Sequence, residues 1–151
     1  MDFWNIVERA DGDADALSLL LSQLDDGALM EFAMRYRECE VNLYRWEVWG
    51  AGYVIDGGMG DDGFDYFRSW IISRGRECYE TALANPDDLG RYVREDEDPS
   101  AEAFGYVASA LIESRGLRDP QVLPYPDSPL GEEWDEDEVE ALFPKLAKKF
   151  G

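Results

Sequence analysis

Residues 56–83 read DGGMGDDGFDYFRSWIISRGRECYETAL. A glycine-rich turn and adjacent aspartates lead here into a segment that is apolar on almost every side. At about 100° per residue, Phe64, Phe67 and Ile71 share one face, with Tyr66 and Trp70 on one flank and Ile72 on the other. Only Asp65, Ser69 and Ser73 form a polar strip. A helix apolar over most of its circumference is buried on several sides, so the spacing predicts a central helix over 63–74. Asp62 is placed to cap it, with Asp65 at the third position and Gly75 at its end.

Arg68 interrupts the pattern, lying between Phe64 and Ile72 beside the buried face. An unpaired buried charge is costly, so a carboxylate partner is expected: Asp65 three residues back, or Asp61 or Asp62 folding over it. That gives a structural ion pair fixing the loop. The functional alternative, an anion-binding arginine beside a helix N-terminus, is opposed by the same aspartates. The loop Asp56-Gly-Gly-Met-Gly60 is no phosphate loop, since no Gly-Lys-Ser/Thr follows and no strand pattern precedes it. Nor is it a calcium loop, because Gly58 and Gly60 stand where oxygen ligands belong.

The stretch GGMGDDGFDYFRSWIISRGRECYETALANPDDL at 57–89 resembles the signature of a bacterial family known as domain of unknown function 4240. The likeness reaches upstream through Phe3-Trp4 and Trp49–Ile55, and downstream to Trp134–Asp137 and Phe143–Leu146. It implies a small bacterial cytoplasmic protein and brings no substrate or catalytic residue with it. Met59 stands where the resemblance leads one to expect cysteine, which argues against thiol chemistry in the loop.

The chain has 151 residues, 45% hydrophobic and 13% aromatic. That length fits one domain, 1–151, burying about 68–70% of its unfolded surface. Asp and Glu number 34 against 14 Lys and Arg, a net charge of −20. This argues against direct nucleic-acid binding, which needs the opposite sign, and fits plain solubility, a basic protein partner or mimicry of nucleic acid. The acidic N-terminus carries no secretory signal pattern and no segment is long enough to span a membrane, so a cytoplasmic location is expected. Cys39 and Cys78 are then read as reduced, packed thiols. No histidine occurs, which removes Ser-His-Asp and Cys-His catalysis and histidine-ligated zinc.

Along the chain the pattern predicts an all-α irregular bundle of seven to eight helices around 63–74. Residues 2–10 form the first helix. Asp11–Asp15 has the opening spacing of a calcium loop but lacks its glycine and its bidentate Glu, so Asp13 or Asp15 is read as a cap. Helices at 14–24 and 27–39 form a hairpin, the second capped by Asp25 or Asp26. A helix at 41–55 shows one face of Val41, Tyr44, Val48, Ala51 and Ile55, and a second of Trp46, Trp49 and Tyr53. The second face is either another packing surface or the lining of a groove for a peptide or ligand. Gly50 and Gly52 permit close approach. Helix 76–84, a short helix from Pro86 to about Tyr92, a solvated acidic loop at 95–98 and a helix from Pro99 or Ser100 to Ser114 follow. Residues 117–133 carry four prolines and read as an extended crossing. A last helix is capped by Asp135 with Glu138 at the third position, stapled by Trp134 against Val139.

Two functions compete. The leading one is a non-catalytic acidic interaction or regulatory module without cofactor or metal, binding a basic or amphipathic protein. An immunity- or antitoxin-like role is one form of it. Candidate contact residues are Trp46, Trp49, Tyr53, Asp61, Asp62 and Arg68, and the oligomeric state is open. The rival is a carboxylate-based metal enzyme or metal-binding protein using Asp56, Asp61, Asp62 and Asp65 with Mg²⁺, Mn²⁺ or Ca²⁺.

Overall fold

The structure, a computed structural model, describes residues 2–120 and 122–151, so Gln121 of the predicted crossing lies outside the described residues. Among these, nine α-helices and one 3-10 helix occur and no sheet: α1 (Phe3–Ala10), α2 (Ala14–Ser22), α3 (Asp26–Asn42), α4 (Trp46–Asp56), α5 (Asp61–Ser73), α6 (Arg76–Ala84), the 3-10 helix Pro86–Tyr92, α7 (Glu102–Ser114), α8 (Val139–Leu142) and α9 (Pro144–Phe150). The all-α class expected from the sequence is what the chain adopts. No helix among the described residues is long and apolar enough to cross a membrane.

The apolar wheel of α5 explains its place. Phe64, Phe67, Trp70, Ile71 and Ile72 are buried, and so are Arg68, Ser69 and Ser73. The helix packs against α1, α3, α4, α6 and α7. Its buried serines find partners: Tyr36 donates its hydroxyl to Ser69 Oγ at 2.9 Å, and Ser73 donates to the Trp70 carbonyl at 2.7 Å. Each large side chain buried there contributes roughly 1.5–3 kcal/mol of hydrophobic stabilisation.

Local signals hold where the residues needed are adjacent. The Asp13 carboxylate accepts from Asp15 N–H at 3.0 Å, and the Asp25 carboxylate from Ala28 N–H at 2.8 Å. Several expectations are corrected. Helix α5 starts at Asp61, and its N-cap is Gly60, without a side-chain bond. Asp62 is therefore a first-turn residue that meets the positive end of the dipole, not the cap. Helix α2 packs on α1 and α7 instead of forming a hairpin with α3. Helix α3 runs on to Asn42, and the break comes at 43–45. There Trp46 N–H donates to the Leu130 carbonyl at 2.9 Å and Leu130 N–H to the Tyr44 carbonyl at 3.0 Å, so a strand-like pairing with the distant crossing interrupts the helix. Helix α7 begins at Glu102, after Ala101 N–H is taken by the Tyr66 carbonyl at 3.1 Å. The 95–98 loop is not wholly solvated, because Glu97 turns in to pair with Arg74.

The last helix is two. Pro144 disfavours helical backbone at Phe143, which sits at φ −129° and ψ 68°, and α8 and α9 lie on either side. The Asp135 carboxylate accepts from Asp137 N–H at 2.9 Å in a local turn, not from a third helical position. Trp134 packs on α4 by ring contacts with Trp46, Trp49 and Tyr53.

The close approach expected at Gly50 joins α4 to this tail. A Cβ there would lie 2.7 Å from the Phe143 ring and 2.9 Å from Trp134 Nε1. Alanine in a helix interior gains up to about 1 kcal/mol over glycine, whereas overpacking against rigid rings costs about 1–3 kcal/mol. Gly50→Ala should therefore lower stability in urea melts, and a gain would show that the tail yields freely.

Candidate functional site

Two constellations stand out, and each contains part of the predicted set. The first is an aromatic ladder. Tyr44 stacks on Phe64 with centroids 6.0 Å apart, Phe64 on Trp49 at 4.8 Å, and Trp49 on Trp46 at 5.3 Å. Trp134 stands edge-on to Trp46 at 6.0 Å and lies against Tyr53 at 5.0 Å. Its indole N–H donates to the Trp46 carbonyl at 2.6 Å. The Trp49 indole N–H donates to the Met59 carbonyl at 2.9 Å, tying the glycine loop to α4. Trp46, Trp49 and Tyr53 are thus brought together and half-buried, mutually stacked and covered by Trp134.

Cavities border this ladder at Trp134 and at Tyr53. One of about 500 Å³ is lined by Glu47, Asp87, Glu132, Glu133, Leu142 and Trp134 itself. Another of about 220 Å³ lies between Tyr53 and Gly57 on one side and Glu136, Asp137 and Glu140 on the other. Sequence reasoning placed Trp134 as a helix staple and missed its central position. The available signal was a lone indole inside an acidic run.

The second constellation surrounds Arg68, which is 5% exposed. Its Nη1 donates to Tyr125 Oη at 2.8 Å and to the Glu40 carbonyl at 3.2 Å. Nη2 reaches Asp65 at 3.5 Å. The guanidinium lies over the rings of Phe64, Tyr44 and Tyr125 at 4.7–5.1 Å. Of the three expected partners Asp65 alone is used, while Asp61 and Asp62 are exposed. Glu40, Tyr125 and Arg37 were not anticipated. Arg37 Nε lies 3.6 Å from the Glu40 carboxylate, and its guanidinium covers the Tyr125 ring at 4.9 Å. Burial above all, reinforced by the Asp65 charge and opposed by Arg37 and Arg68, pushes the Glu40 carboxyl up to about 7.

The other acidic residues do not converge. Burial, then the charge of Asp98, raises Asp56. Among the described residues, no three His, Cys, Asp or Glu side chains are grouped to hold a metal ion, so the metal reading of the Asp56–Asp65 loop gains no support. Cys39 and Cys78 are free and buried, and burial pushes their thiols up to about 11 and about 12. Such thiols are poor nucleophiles.

Fold and site together define an all-α protein with a buried arginine hub and an acid-flanked aromatic ladder. The chain belongs to the family described as Protein of unknown function (DUF4240), whose family model matches residues 1–114. The tail from 115 onward, where the resemblance was also expected, lies outside that match. No curated protein and no solved structure matches the chain significantly.

Glu40 should leave a signature in the pH dependence of folding. Its folded pKa of about 7 stands above the 4.5 of a free carboxyl, so the native state holds this proton more tightly than the unfolded chain. The penalty for ionising it is absent below about 4.5, grows as pH rises and is complete above about 7. Glu40→Gln, which mimics the protonated form, should match the parent near pH 4.5 and exceed it by roughly 1–3 kcal/mol near pH 8. Urea melts across that range check this, and a difference independent of pH would contradict it.

Proposed function

We propose that this chain, acting as one cytoplasmic domain over 1–151, is a non-catalytic acidic interaction module that binds a basic or amphipathic protein surface through the face around Trp134. One observation carries the reading. Glu132, Glu133, Asp135, Glu136, Asp137, Glu138 and Glu140 are all exposed, and none of them is in an ion pair with a described residue. Some carboxylates elsewhere are compensated in the fold, as Asp88 is by Lys145 at 2.7 Å and Asp26 by Arg115 at 3.1 Å, but no other stretch of nine residues carries seven acidic side chains.

The physical consequence is a short segment of like charges whose mutual repulsion a cationic partner relieves. Such a patch steers association and makes it salt-dependent. Leu142 and Leu130, 58% and 48% exposed, and the half-buried Trp134 supply apolar contact beside the charge, which suits an amphipathic surface. An immunity- or antitoxin-like role is one form of this module, in which the acidic face occupies the basic surface of a nucleic-acid-binding partner.

The test uses a cationic amphipathic peptide and two charge-reversal variants. Glu132→Lys, Glu133→Lys and Glu136→Lys together should weaken binding at least about tenfold and flatten its salt dependence. An equal reversal elsewhere, Glu31→Lys, Glu95→Lys and Glu113→Lys, should weaken it much less. Equal losses in both sets would leave only non-specific attraction to a net charge of −20 and defeat the reading.

A further inference from the structure

Between α3, α7 and the chain that follows α7 lies a cavity of about 240 Å³, apart from the Trp134 face. Phe32, Phe104 and Ile112 wall it, and Tyr36, Arg37, Glu40, Ser109 and Asp119 bring polar groups to it. The three walls are buried. For scale, a cavity of about 150 Å³ holds benzene, and pockets for drug-sized ligands begin near 300 Å³. The space therefore suits a single ring or a short branched chain with a small head group.

The polar groups are unequally committed. The Tyr36 hydroxyl donates to Ser69 Oγ at 2.9 Å. Arg37 holds its guanidinium over Tyr125 and donates from Nη1 to the Leu123 carbonyl at 3.5 Å. Arg68 is held by Tyr125, the Glu40 carbonyl and Asp65. The Glu40 carboxylate, its side chain 15% exposed, has Arg37 Nε at 3.6 Å as its nearest cation, beyond hydrogen-bond reach. It is the acceptor with capacity to spare.

We propose that this cavity binds a compact organic ammonium ion, with the N–H groups donating to the Glu40 carboxylate and the apolar body against Phe32, Phe104 and Ile112. A charge-assisted bond to a shielded carboxylate is about twice as strong as a neutral one, and aromatic faces attract cations. A protein of net charge −20 concentrates cations at its surface. An anionic ligand would instead meet the Glu40 and Asp119 carboxylates beside the Arg37 guanidinium. A neutral alcohol of the same shape fills the space but forgoes the charge.

The groups facing Glu40 set the pH behaviour: Tyr36 and Arg37 on α3, Asp65 and Arg68 on α5, Tyr125 on the crossing, and Asp119 at the cavity. Glu40 keeps its proton up to about 7, and burial raises the Tyr36 and Tyr125 hydroxyls, which stay protonated. An ammonium ion selects the carboxylate form, so binding expels a proton and weakens as pH falls below 7.

Calorimetric titration of the full chain with benzylammonium, benzyl alcohol and benzoate tests this. Near pH 8, benzylammonium should bind at least about tenfold tighter than benzyl alcohol, and its affinity should drop about tenfold or more near pH 5.5. Glu40→Gln should remove the advantage of the cation over the alcohol. Ala33→Leu, which fills the cavity from α3, should abolish binding while the melting temperature holds. Benzyl alcohol or benzoate binding as tightly as benzylammonium, undiminished affinity in either variant, or no binding of benzylammonium would each overturn the proposal.

Discussion

A guanidinium stays charged at any pH a protein meets, so burying Arg68 obliges the surroundings to solvate it. The chain does so with parts drawn from three places: the Glu40 carbonyl at the end of α3, Asp65 one turn back on α5, and the Tyr125 hydroxyl on the crossing. Three aromatic rings lie against the guanidinium, and its buried Nε has no hydrogen-bond partner among the described residues. The interaction therefore fixes the central helix and the irregular tail relative to one another. Tyr125 is thereby one of the points that define the path of a proline-rich segment with no helical bonds of its own.

The tail is tethered at successive points. Tyr125 is held by Arg68, Leu130 pairs with Tyr44 and Trp46 by backbone bonds, and Trp134 donates to the Trp46 carbonyl. Phe143 then packs where Gly50 leaves room, and Lys145 N–H reaches the Asp87 carboxylate at 3.2 Å. These tethers place a strongly acidic segment on one side of the aromatic ladder. The acidic surface and the buried arginine are consequences of one chain path.

What the sequence revealed and what it hid divide along chain distance. The buried nature of α5 was legible because its apolar wheel is local, as were the caps at Asp13 and Asp25. The α3–α4 break was hidden because Leu130, far along the chain, causes it. The Arg68 partners were hidden likewise: Tyr125 lies 57 residues away. The misplaced cap at Asp62 has a nearer cause, since Gly60 takes the extended cap conformation and starts the helix two residues earlier than a cap at Asp62 requires. The division of the last helix at Phe143 was readable from Pro144. The uncompensated acids of 132–140 were visible as composition, but the indole they surround gained meaning only once Trp134 was seen against α4.

A double-mutant cycle between Arg68→Leu and Tyr125→Phe, read as unfolding free energies in urea, tests the tether most directly. A buried hydrogen bond to a charged group contributes about 1.5–3 kcal/mol. Coupling of that order between the two sites is expected if Arg68 holds the crossing to the core. Strictly additive losses, with coupling below about 0.5 kcal/mol, would mean that the tail finds its place without Arg68 and would contradict the account.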